Sequence, residues 1–420
     1  MNKERLFNKN FILVVLGQLI SIFANSVLRF VLPLYILDQT ASTAVFGSVL
    51  AAAAVPPIIF SPLGGILADR CNRRNIMVFL DFLTALIIGV FAFLLISESA
   101  VIVITVLMII FAVIQSFYQP AVQASIAQIV EKDKLEQANG IVSLVNAVSN
   151  LIGPIAAGVL YVLFSIQSLM SAAVFLFFSA AVMELFIYIK FEREKIQAGV
   201  VEIIKSDLKL SLKFISREQP VMLRVMLVTS GMNLFLTSMI LVGLPAIIKI
   251  SLGLSSQFYG FAEGAMAAGM IFGGITASAA GKKIKAEHSY KFLAAASFSL
   301  LPISAAFFLK LNPMLTYYIV LSSAFLISAA VTVFTVVMMS FIQRQTPNHL
   351  IGKVISYILL ISQCTLPFGQ ALYGFVFEHF IYSINLIVLF TAIGSLLIAL
   401  YSKNTFAQIL ELKRVPVFES

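Results

Sequence analysis

The 420-residue chain reads as an all-α membrane protein, with about twelve transmembrane helices in two pseudo-symmetric six-helix bundles. Three observations lead there: the composition, the length of the apolar runs, and their repetition about one polar midpoint. Hydrophobic residues make up 60% of the chain and charged ones 11%, with 37 Phe and a mean hydropathy of +1.02. A soluble globule carries about 25% charged and about 45–50% apolar residues, so apolar surface on this scale needs lipid as its solvent. A hydrocarbon core of about 30 Å takes roughly 20 helical residues to cross, which leaves room for about a dozen crossings.

The runs follow one another in order. The first, about 11–37, comes after the basic MNKERLFNKN and is too long for a signal-peptide core. No small-residue cleavage site follows it, so it is expected to remain as a helix. The second, 44–68, closes on Gly64-Gly65-Ile66 and is followed by the basic RCNRR. The third, 75–96, carries Asp81. The fourth, 101–128, carries Gln115, Gln119 and Gln123 at i+4 steps. The fifth, 137–164, holds Gly153, Pro154 and Gly158, and the sixth, 167–190, holds Glu184. Beyond the midpoint come 222–250 with Thr229, Asn233 and Thr237, then 256–280 with Glu263, ending on Gly273-Gly274-Ile275. The last four are 288–309, 313–341 with Ser328, Thr332 and Thr335, 350–377 with Gly369 and Gly374, and 381–401.

The only long polar stretch, KFEREKIQAGVVEIIKSDLKLSLKFISREQP, divides the chain near its middle. The expected organisation is a six-helix bundle over 1–190, a cytosolic linker over 191–220, a second bundle over 221–402 and a cytosolic tail over 403–420. Within the linker Val201, Ile204, Leu208, Leu212 and Ile215 recur at helical spacing among lysines. An amphipathic helix on the lipid surface and a plain solvated connection are both open there. The halves also echo one another, the Gly64 pair with the Gly273 pair, and Gly153 and Gly158 with Gly369 and Gly374. Two related halves joined by a cytosolic connection describe a transporter that rocks about a central site.

The charge distribution fixes an expected orientation. Twenty-five of the 28 Lys and Arg fall on one side of the predicted spans. Only Lys249 and Lys310 lie opposite, and Arg29 lies within a helix. By the positive-inside rule that side is the cytosol, and both termini face it across the cell membrane. A net charge of +9 spread in this way marks topology, not a nucleic-acid partner. Cys71 and Cys364, far apart in sequence, make no disulfide framework. His288, His349 and His379 are scattered at loop ends, and neither a metal cluster, a nucleophile motif nor a phosphate-binding loop is present. No enzyme, metal or cofactor is expected.

Gly65-Ile-Leu-Ala-Asp69-Arg70-Cys-Asn-Arg73-Arg74 resembles the signature loop of the major facilitator superfamily, with Asn72 where that family usually has Gly. Ser149 to Gly158, around Gly153 and Pro154, is similar to the helix-five motif of its antiporter branches. Asp81 together with Tyr118-Gln119-Pro120-Ala121 resembles the macrolide-efflux and siderophore-exporter subgroup of bacterial drug exporters. The arginine that many drug exporters carry in helix four is absent, Gln115 being the largest polar group there. The resemblance implies that Asp69 latches the halves at the cytosolic face by meeting the start of helix eleven, near Pro347-Asn348. Arg70, Arg73 and Arg74 would either join that latch or only hold the loop inside. Gly65 would let a neighbouring helix approach closely. Pro154 removes a backbone bond and bends helix five, beside small residues that pack tightly.

The resemblance also implies that helices one, four, seven and ten line a cavity. The polar stripes Gln18, Ser21, Asn25 and Arg29, then Gln115, Gln119 and Gln123, then Asn233 and Thr237 agree with that, although helix packing through side-chain hydrogen bonds is the alternative. Ionisable groups inside a membrane are functional by default. Glu263 comes first for proton coupling, with Arg29 at similar depth as a partner. Asp81 comes second, and Glu184 is expected to snorkel at the interface. The function expected is proton-coupled efflux of a bulky amphiphile such as a macrolide-like drug by a monomer. Siderophore export, lipid movement and nutrient uptake are alternatives, and a membrane sensor or enzyme is a remote one.

Overall fold

The computed structural model describes residues 7–94, 100–189, 210–211, 214–215, 219–280, 284–347 and 350–412. Among them every regular element is helical. The long helices are α1 (Lys9–Thr40), α2 (Thr43–Arg70), α3 (Arg73–Leu94), α4 (Ala100–Ile129), α5 (Leu135–Leu163) and α6 (Ile166–Glu184). After the linker come α7 (Pro220–Ser251), α8 (Ser256–Ala279), α9 (Ala286–Phe308), α10 (Pro313–Gln345), α11 (351–380) and α12 (Ile384–Leu412). Among the described residues eleven continuous helical stretches are long and apolar enough to cross a membrane; the last, Ile351–Lys403, runs for 53 residues. At about 1.5 Å per residue it is far too long for one crossing. A 3-10 turn at Ile381–Ser383 divides it into α11 and α12.

The ends are set by local chemistry. The Asn8 side chain accepts from the Phe11 N–H at 2.9 Å, and Ser42 from the Val45 N–H at 3.1 Å, capping α1 and α2. Pro313 opens α10, where it needs no N–H partner, and Asn312 caps it through the Met314 N–H. The helices match the apolar runs to within a few residues, except that α6 ends at Glu184 instead of about 190 and α12 runs on to Leu412 instead of about 401. Asn10 explains the end of α6: its Nδ2 donates to the Tyr188 carbonyl at 2.9 Å and its Oδ1 accepts from the Tyr188 N–H at 3.1 Å. The backbone is thereby held against α1 and cannot continue the helix. The expected linker helix lies almost wholly outside the described residues.

Contacts divide the chain into two units, Met1–Val200 with Ser255–Gly264, and Val201–Leu254 with Ala265–Ser420. The first turns of α8 thus group with the first six helices. Within the first unit α1 packs on α5 and α6, α2 on α4, and α3 on α4 and α6. Within the second, α9 packs on α10 and α12, and α7 on α11 and α12. Large apolar side chains on the outside, such as Phe93, Phe175, Phe368 and Phe390, are exposed, as suits a surface solvated by lipid.

The two units repeat one another in detail. A Cβ placed on Gly64 would collide with the Ser116 carbonyl of α4, and one on Gly273 with the Ala329 carbonyl of α10, while Gly65 and Gly274 face open space. Gly153 meets Ser26 of α1, as Gly369 meets Ser238 of α7. The turn after α1 places Ala41 at φ 49, and the turn after α7 places Gly253 at φ 65, both left-handed. The sequence echo is therefore one of packing: the same positions bring the same pairs of helices together.

Candidate functional site

The most enclosed polar group in the first unit stands among α1, α3, α4 and α6. Ser21 Oγ donates to Asp81 Oδ2 at 2.6 Å, and the Tyr118 hydroxyl donates to Glu184 Oε1 at 2.8 Å. Asp81 is 1% exposed and Glu184 0%, and the charges of the two carboxyls act on each other. Glu184 Oε2 has no hydrogen-bond partner, nor has Oε1 of buried Gln18. Gly17 makes the room, since a Cβ there would touch Glu184 Cγ at 3.4 Å. Glu184 is therefore not an interfacial snorkelling residue. It is the last residue of α6 and yet fully buried, against Tyr118 and the Gly17 position of α1, and Ile187 and Ile189 in the segment after it, held by Asn10, are buried as well. Gln18, expected on a cavity wall, is likewise buried inside the unit.

A second polar group lies where residues 255–264 join the first unit. The Tyr259 hydroxyl donates to Glu263 Oε1 at 2.5 Å, and the Tyr259 ring stacks on Phe30 at 4.7 Å between centroids. Arg29, the neighbour of Phe30 on α1, acts electrostatically on Glu263. Arg29 is exposed at the surface of the unit and Glu263 half-buried, whereas the Asp81 pair is enclosed within it. The helices come close here: a Cβ on Gly158 would sit 2.8 Å from the Ser256 carbonyl and 3.1 Å from Gly260 Cα, and one on Gly260 would sit 2.6 Å from the Pro154 carbonyl. The small residues of the helix-five motif thus make a tight backbone contact.

In the signature loop Asp69 is 65% exposed and lies 3.8 Å from the Arg73 guanidinium, whose Nε donates to the Ala68 carbonyl at 3.0 Å. Arg74 donates to the Leu185 carbonyl beyond the end of α6, so it ties the loop to that segment. The close approach expected at Gly65 occurs at Gly64 instead. Successive residues on a helix point about 100° apart, and it is Gly64 that α2 turns toward α4. Arg70 is half-buried, and Asn348, part of the expected latch partner, lies outside the described residues.

The remaining stripes split by exposure. Asn25, Gln115 and Gln119 are half-buried, and Gln123 is exposed. Asn233 Nδ2 donates to the Ser362 carbonyl at 2.8 Å, and Thr237 donates to Asn233 Oδ1 at 3.3 Å. Asn233, held by Thr237, therefore ties α7 to α11, at a π-helical stretch of α7 (Asn233–Thr237) and beside the break in α11 at Cys364-Thr365. Such bulges free backbone groups that side chains must satisfy, and Thr365 does so by donating to the Ser230 carbonyl at 2.9 Å.

Among the described residues no three His, Cys, Asp or Glu side chains converge as for a metal. The residues that sequence reasoning undervalued are Glu184 and Tyr118. One signal was available: Glu184 stands alone in AAVMELFIYIK, with no cation before Lys190 to accompany it at an interface.

The sequence profile of the Major Facilitator Superfamily matches residues 14–370. The chain belongs to that superfamily. Like the other superfamily members it is a multi-pass membrane transporter and not an enzyme. It is 23% identical to macrolide efflux protein A of Streptococcus pyogenes over 174 residues, 41% of this chain and 42% of that protein. It is 29% identical to the MFS-type transporter YfiS of Bacillus subtilis (strain 168) over 134 residues, 32% of this chain and 31% of that one. The chain thus spans less than half the length of the curated relatives it matches. Its fold is shared with a bacterial homolog of the human lysosomal transporter Spinster, at a TM-score of 0.73 and 13% identity, covering 98% of this chain and 100% of that one. A D-xylose-proton symporter superposes with a TM-score of 0.69 at 14% identity, covering 94% and 96%.

Proposed function

We propose that this superfamily member exports a bulky amphiphilic compound of the macrolide class in exchange for protons, by alternating access in the cell membrane, as a monomer with both termini in the cytosol. The observation that carries the reading is the relationship to macrolide efflux protein A. The acids retained inside the helices supply a chemical means of coupling, since a carboxyl that gains or loses a proton changes the cost of burying it. Glu263 is the first such acid, beside Arg29, and Asp81 is the second. The half-buried and exposed polar groups Asn25, Gln115, Gln119 and Gln123 supply hydrogen bonds for the polar edge of an otherwise apolar cargo.

A susceptibility and efflux panel, with the gene deleted and overexpressed, tests the cargo: the reading requires lower macrolide accumulation on overexpression, and equal accumulation overturns it. Uptake into inverted vesicles tests the coupling. Glu263→Gln is expected to abolish pH-gradient-driven uptake; unchanged gradient dependence moves the coupling role to Asp81 or away from protons. In the same frame Asp69 acts as the latch that holds the transporter in its outward-facing state.

A further inference from the structure

We propose that Asp81 and Glu184 form one proton-binding site, a carboxyl pair holding a single exchangeable proton, with Ser21 and Tyr118 as its fixed donors and separate from Glu263. The use of such a site in transport rests on the proton-coupled reading above, but its existence does not.

The geometry leaves few other roles. Each carboxyl accepts one short hydrogen bond from a neutral hydroxyl, at 2.6 Å and 2.8 Å, and both are buried. The elements packed around them are α1, α3, α4 and α6. Their other charged or titratable groups are Lys9, Arg29, Tyr35 and Asp38 on α1 and Arg73 and Arg74 on α3. At a rise of about 1.5 Å per residue, Lys9 and Arg29 lie on the order of 18 Å and 12 Å along α1 from Ser21, and the two arginines about 11 Å or more from Asp81 along α3. The Arg74 guanidinium is engaged with the Leu185 carbonyl. Two carboxylates that feel each other's charge in a buried site without a matching cation cannot both stay ionised. One proton relieves that repulsion. It also brings a donor to a region where Glu184 Oε2 and Gln18 Oε1 are buried acceptors without one.

Depth supports a role in carrying the proton inward. Asp81 is eight residues into α3, and Glu184 closes α6, so the pair occupies the half of the unit nearer the expected cytosolic side. A proton released here has a shorter route to the cytosol than one on Glu263.

The test is infrared difference spectroscopy of the purified full chain in liposomes, titrated over pH. The wild type should show a protonated-carboxyl band at neutral pH. Removing either like-charged partner, by Glu184→Gln or Asp81→Asn, should move the midpoint of that band at least tenfold in proton concentration toward acid. Tyr118→Phe, which deletes a donor to the ionised form, should move it toward alkali. These opposite shifts are not expected of a pair that only packs helices. Titrations of Glu184→Gln and Tyr118→Phe that superimpose on the wild type overturn the site, as does a midpoint that moves when sodium replaces choline. If Glu184→Gln does not fold, Tyr118→Phe decides alone. Vesicle uptake is scored separately: a titrating band without gradient-dependent transport sinks the proposed coupling and leaves the site, whereas gradient-dependent transport without the band does the reverse.

Discussion

At the scale of single residues the chain separates positions that look alike in sequence. Gly64 and Gly65 are neighbours in one motif, yet a Cβ on Gly64 meets the backbone carbonyl of Ser116, which cannot move aside, and a Cβ on Gly65 meets nothing within 4 Å. Gly64→Ala should therefore force α2 and α4 apart and cost about 1–3 kcal/mol, seen as an earlier melt of the detergent-solubilised protein. Gly65→Ala should melt with the wild type. A wild-type melt for Gly64→Ala would mean that the two helices do not approach as closely as described. Glu184 and Glu263 are likewise both lone acids in apolar helices, but one is sealed and the other is half-buried beside an arginine. That difference comes from which helix faces which, and a linear pattern does not contain it.

At the scale of elements, periodicity made the helices legible because a lipid-spanning segment has to be long, apolar and internally hydrogen-bonded. The end of α6 was misplaced because a distant side chain competes for the backbone. Asn10 takes both the N–H and the C=O of Tyr188, and no local rule reveals a partner 178 residues away. Asn10→Ala should leave those two groups without their partner at a cost of about 1–3 kcal/mol. Amide hydrogen exchange around residues 186–189 should then speed up, with α3 and α4 unaffected; unchanged exchange would mean that another contact holds the segment. The π-helical stretch of α7 at Asn233–Thr237 was illegible for a similar reason, since its Asn233 side chain bonds to Ser362 of α11. The Asp81 half of the pair was legible as a lone acid, whereas its partner depended on tertiary cover.

At the scale of the whole molecule, two features of the signature loop make separate predictions. Asp69 is 65% exposed, with Arg73 at 3.8 Å as a weak local partner; an exposed pair of this kind is worth little to stability. Asp69→Asn should therefore insert and melt as the wild type does, and lose transport only if the latch is real. Wild-type transport at equal expression would remove Asp69 from the mechanism. The arginines beside it count toward the proposed orientation, and Cys71 lies among them as an exposed free thiol, while Cys364 is half-buried in α11 with its Sγ 3.3 Å from the Leu360 carbonyl. In the proposed orientation this loop faces the cytosol. In a Cys364→Ser background a membrane-impermeant maleimide should thus label Cys71 in inverted vesicles and leave it unmodified in right-side-out ones. The reverse pattern would turn the molecule over, putting the loop, both termini and the carboxyl pair nearer the outer face, and would require protons to move through it in the opposite sense.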